Sequence, residues 1–106
     1  MSRSESEILA EALLHLEYLD RYAAMDLEQD VVVDAIALRL AAMVDALGRL
    51  PGDVLEVMFG DAWAAMRGLR NRIAHGYHAV NADVLRITVT EELQQVRELI
   101  EARLGT

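Results

Sequence analysis

Arginine, histidine, asparagine and tyrosine crowd into one stretch of this chain, Arg67-Gly68-Leu69-Arg70-Asn71-Arg72-Ile73-Ala74-His75-Gly76-Tyr77-His78. The guanidinium of arginine is a planar fork of N–H donors that matches phosphate oxygens. Histidine is the side chain that most readily exchanges a proton near neutral pH. Together they suit the binding of a phosphate ester and proton transfer beside it. On a helical wheel with Ala62 at zero, Arg67, Asn71 and His75 fall at about 140°, 180° and 220°, one polar stripe at i, i+4, i+8. Gly68 and Ala64 lie beside the stripe and carry almost no side chain, so a partner helix or a nucleotide backbone could come close there. Arg70 falls about 140° from His75 on the same wheel. The two would not meet on one phosphate along one straight helix. Either the helix ends near Ala74 and turns His75 back, or a second copy of the chain completes each site.

The same residues have plainer readings. An arginine stripe alone is commonly a solvated helix face, and a histidine at a helix end favours the helix dipole. Tyr77, just past Gly76, can be a packing aromatic. Trp63 reads as core or interface, His15 as structural, and Met43, Met58 and Met66 as core fillers. No metal site is expected. The chain has no cysteine, and no acid lies within 62–82 to join His75 and His78.

The elements that must position this stretch are helical. The chain has 106 residues, 54% of them apolar, with six glycines and one proline. That composition fits a single folded domain over 1–106, disfavours disorder and disfavours a turn-rich β chain. A helix is predicted over about 5–24, capped by Ser4 or Ser6, with Ile8, Ala12, Leu16, Leu19 and Ala23 on one face. A second spans about 28–49. Its apolar residues cover more than half the circumference, which implies burial on two sides, against the core and against a partner. Gly48, Pro51 and Gly52 end it, and residues 53–59 form a short helical turn. Asp61 can cap a helix over about 62–74, which Gly76 ends and whose core face is Ala62, Met66, Leu69 and Ile73. Asn81 or Asp83 starts a last helix reaching about Leu104, locally strand-like at Ile87-Thr88-Val89-Thr90. The expected fold is all-α, an antiparallel bundle of four main helices plus a short one.

Net charge is −8. Residues 1–60 hold twelve acids and four arginines, whereas 61–86 hold two acids and four arginines, so the positive charge is concentrated around the motif. An acidic body opposes bulk RNA and leaves affinity to the arginine-rich segment. No run approaches the roughly 20 apolar residues of a membrane span, and the first residues lack the apolar region of a secretory signal. A cytoplasmic location and no membrane association are expected.

Arg70-Asn71-Arg72-Ile73-Ala74-His75-Gly76-Tyr77 reads as R-N-x3-H-x-Y, preceded by Trp63 and followed by Asn81-Ala82-Asp83. This pattern, in an acidic and helical chain of this size, resembles the signature of HEPN-domain proteins. It is most similar to the HepT toxin group paired with MntA-type minimal nucleotidyltransferases. The resemblance implies a metal-independent endoribonuclease, without cofactor, that acts as a homodimer with the motif at the seam. It implies Arg70 and His75 as catalytic residues and Asn71 as their polar neighbour. Arg72 and His78 are not part of the family signature; Arg67, Asn71 and Arg72 are expected to hold RNA phosphates because of their residue types. It also implies that the nucleotidyltransferase antitoxin silences the toxin by attaching AMP to Tyr77. The alternative within the same resemblance is a non-catalytic module that holds a nucleotide or a nucleotidyltransferase.

Overall fold

The structure is a computed structural model that describes residues 2–76 and 80–105. Among the described residues the chain is all-α, with no strand. The elements are α1 (Arg3–Ala23), α2 (Asp30–Leu47), α3 (Gly52–Phe59), α4 (Ala62–His75), α5 (Ala82–Ile87), a π-helical turn (Thr88–Glu92) and α6 (Leu93–Leu104). The expected helical bundle is therefore present, with the last helix divided into two. No helix is long and apolar enough to cross a membrane among the described residues.

α2 is the central element. Nine of its residues are buried, including Ile36, Leu40, Met43 and Leu47, so its broad apolar surface is covered by α1, α4 and α5. Leu38, on the remaining side, is exposed. From α1, Leu9, Ala12, Leu16 and Leu19 enter the same core completely. Burying a leucine of this kind removes about 1.5–3 kcal/mol worth of apolar surface from water. Ala12, Leu16 and Leu19 lie on the face that the periodicity gives, and the face widens to take in Leu9, which is buried while Ile8 and Ala23 are only partly so. The cap also moves: Ser2, and neither Ser4 nor Ser6, accepts a hydrogen bond from the Glu5 amide at 3.1 Å.

Several acids pair with arginines that lie far from them in the sequence. Glu11 on α1 pairs with Arg49 and Asp20 with Arg97 on α6, while Glu5 meets Arg103 at 3.4 Å. Arg86 of α5 donates to the Leu27 carbonyl and to Asp83, each at 2.8 Å, which ties α5 to the α1–α2 connection. His15 on α1 is structural, as expected. Its Nδ1 lies 3.2 Å from Arg39 Nη1, and arginine can only donate, so Nδ1 accepts and the ring is neutral. Burial, followed by the Arg39 charge, pushes the His15 pKa below its ordinary value, with Glu11 opposing.

The strand-like run becomes the π-helical turn. Leu85, Val89 and Leu93 are all buried at steps of four residues. In a regular α-helix each such step drifts about 40° off one face. A wider π turn takes up that drift. Thr88 Oγ1 and Thr90 Oγ1 donate back to the Val84 and Arg86 carbonyls at 2.7 and 2.8 Å, which occupies acceptors in this segment. Asn81 caps α5, its side chain accepting from the Asp83 amide at 2.8 Å.

Candidate functional site

α4 carries the motif, and its packing is one-sided. None of its residues is fully buried; Trp63, Met66, Leu69 and Ile73 rest partly covered against the core. Ala62, assigned to the core face from spacing, is exposed in the first turn. Asp61 stands at the N-cap position, but its side chain makes no capping bond. Gly76 ends the helix with φ at 148°, a conformation that side chains bearing a Cβ rarely adopt. The helix stays regular through His75, so the chain does not turn His75 back toward Arg70.

Arg67, Asn71 and His75 form the exposed stripe that the helical wheel gives. Arg72 is exposed beside them and leans back over Gly68; a Cβ built on Gly68 would sit 3.9 Å from Arg72 Nη1. Arg70 differs from its neighbours. Its Nε donates to Asp45 Oδ1 of α2 at 2.6 Å and its Nη2 to Asp45 Oδ2 at 3.4 Å, while Nη1 meets Asn71 Oδ1 at 3.4 Å. Among the described arginine side chains, Arg67 and Arg72 alone have no hydrogen bond, ion pair or ring contact with another described residue. Both are on α4. The two arginines without such a partner are therefore neighbours on the motif helix of an acidic chain.

Beside α4 opens a groove of about 640 Å³ between the end of α2, α3 and α4. Arg67, Arg70 and Asn71 line it together with Asp45, Glu56 and Trp63, whose ring stacks on Phe59 at 6.1 Å between centroids. Arg72 and His75 do not line it. On the other flank of α4, Met66 and Leu69 face Val96 and Leu99 of α6 across an apolar cleft of about 480 Å³. Tyr77 and His78 lie outside the described residues, as does the modification expected at Tyr77. Among the described residues no group of three or more His, Asp or Glu side chains is placed to hold a metal ion.

Two features of this site escaped the sequence. Asp45 lies 25 residues before Arg70, and only the packing of α2 on α4 joins them. The part of Trp63 in the groove wall follows equally from the α3–α4 turn, which Gly60 makes with φ at 55°.

The family described as Ribonuclease HepT-like matches the chain over residues 7–103, and the chain belongs to that family. No curated protein and no solved structure gives a significant match. The match covers every element that positions α4, and the bundle agrees with the fold that the motif implied.

Proposed function

We propose that the chain is the toxin of a toxin–antitoxin pair and cleaves RNA endonucleolytically without a metal ion. In this reading Arg70 and His75 are the catalytic residues, and Arg67, Asn71 and Arg72 hold flanking phosphates. The observation that carries it is the pair of uncommitted arginines and the exposed His75 on one helix of a strongly acidic chain. Membership of the Ribonuclease HepT-like family supports RNA as the substrate.

The chemistry uses what RNA brings. The 2′-hydroxyl attacks the adjacent phosphorus, and its proton passes to a base. The bond from phosphorus to the 5′-oxygen breaks, and that oxygen takes a proton. The products are a 2′,3′-cyclic phosphate and a 5′-hydroxyl. His75 serves one of the two proton transfers, and Arg70 stabilises the charge that builds on the phosphoryl oxygens. Because Arg70 and His75 diverge along α4, one phosphate is served by residues of two chains. A homodimer with α4 near the two-fold axis satisfies this, and the one-sided packing of α4 leaves it free to be covered. The arginines line an open seam there, since like charges buried together without partners would be costly.

Regulation in this reading is by a nucleotidyltransferase partner of the MntA type. Transfer of AMP from ATP to the Tyr77 hydroxyl, with release of pyrophosphate, would add a negative phosphodiester and a nucleotide two residues beyond His75 in the sequence, in competition with RNA for the arginines of the motif. The test is expression of the wild type and of His75→Ala without any partner. The wild type is expected to arrest growth and degrade RNA, and the variant to do neither. Equal growth and intact RNA in both would reject the reading.

A further inference from the structure

We propose that Asp45 is a positioning residue for Arg70: it holds one edge of the guanidinium so that the other stands ready for the scissile phosphate. The proposal rests on the ribonuclease reading above. A guanidinium has two edges that can grip an oxyanion with paired N–H groups, the Nε/Nη2 edge and the terminal Nη1/Nη2 edge. Asp45 occupies the first, taking Nε at 2.6 Å and Nη2 at 3.4 Å. No carboxylate among the described residues occupies the second; Nη1 has only the 3.4 Å contact with Asn71 Oδ1. Asp45, Arg70 and Asn71 line one groove, so the terminal edge is available to a phosphate lying there.

Two considerations separate positioning from mere stabilisation. The pair is on the surface, with the Arg70 and Asp45 side chains 35% and 55% exposed. Exposed ion pairs contribute little to folding. α2 and α4 are joined instead by apolar contacts that include Met66, Leu69 and Val44. An unrestrained arginine, by contrast, must be ordered at the moment of reaction, and that cost falls on the transition state. Asp45 also lowers the attraction of Arg70 for any phosphate, bound or passing. Its removal should therefore leave ground-state binding intact or tighter while slowing the chemical step.

The test is steady-state cleavage of an RNA oligonucleotide by the purified full chain and by Asp45→Asn, Asp45→Glu, Arg70→Lys and the Asp45→Asn/Arg70→Lys pair, with the Tm of each. Asp45→Asn should lower kcat at least about tenfold, with KM unchanged or lower and Tm close to wild type. Asp45→Glu, which keeps a two-oxygen acceptor, should recover part of the loss. On the Arg70→Lys background, where no fork remains to orient, Asp45→Asn should cost nothing further. If the wild type cleaves and Asp45→Asn cleaves equally fast or faster, the proposal is overturned and the ribonuclease reading stands; a faster variant would make Asp45 a competitor of the phosphate. Equal losses on both backgrounds would overturn it too, because a structural role is additive. A wild type that leaves RNA intact overturns the ribonuclease reading, and the role of Asp45 falls with it.

Discussion

Replacing Gly68 with alanine should make the folded chain more stable and its function worse. Gly68 sits in the middle of α4, where glycine costs about 0.5–1 kcal/mol relative to alanine because its backbone loses more freedom on folding. A Cβ built there would meet only Arg72 Nη1, at 3.9 Å, an ordinary contact with the end of a mobile side chain. No steric penalty offsets the gain, so the whole 0.5–1 kcal/mol should appear as stability. For a chain of this size that is a Tm rise of about 2–8 °C. The assay is thermal unfolding followed by circular dichroism over a range of protein concentrations, because association itself raises Tm. Beside it run sedimentation and RNA cleavage. If the small strip of Ala64 and Gly68 admits a partner helix or an RNA backbone, the added methyl should weaken dimerisation or cleavage in the same variant. A Tm that falls at every concentration would refute the claim that the folded chain has room for a Cβ at this position.

Leu16→Ala should cost about 3 kcal/mol, since Leu16 has no exposed surface and its removal leaves a cavity under α1; urea unfolding measures it. His15 should make stability depend on pH. Its folded pKa lies below the unfolded value of 6.5, so between the two the unfolded chain binds more protons. The contribution is complete above 6.5 and lost as pH falls through the folded value, and urea midpoints against pH should show a shallower fall in His15→Gln. Tyr77→Phe keeps the ring and removes the acceptor oxygen. It should still cleave RNA but escape a co-expressed nucleotidyltransferase, with no AMP adduct in the mass spectrum.

The helical class and the place of the motif were legible because both rest on local information. The 3.6-residue period of α1 and α2, the break at Gly76 and the cap at Asn81 need no knowledge of the tertiary fold. The stripe of Arg67, Asn71 and His75 is a property of one helix, and it is exposed as the wheel requires. What was not legible is set by tertiary packing. Ile87 to Thr90 have β-branched side chains and read as strand-like, yet Leu85, Val89 and Leu93 must all reach the core, and the chain meets this with a π turn. Leu9 is buried and Ile8 only partly so, a difference at the edge of the α1 face that periodicity alone does not decide. Asp45 carries no sequence mark at all; it is one acid among eighteen until α2 lies against α4.

The central claim is that α4 cleaves RNA through the 2′-hydroxyl, with His75 moving a proton. Its most direct test is the chemistry of the ends that the purified chain leaves on an RNA oligonucleotide, with and without EDTA, beside His75→Ala. The expected ends are a 2′,3′-cyclic phosphate and a 5′-hydroxyl, formed at the same rate in EDTA, with no product from the variant. A 5′-phosphate end, loss of cleavage in EDTA that added divalent metal restores, or undiminished cleavage by His75→Ala would contradict it.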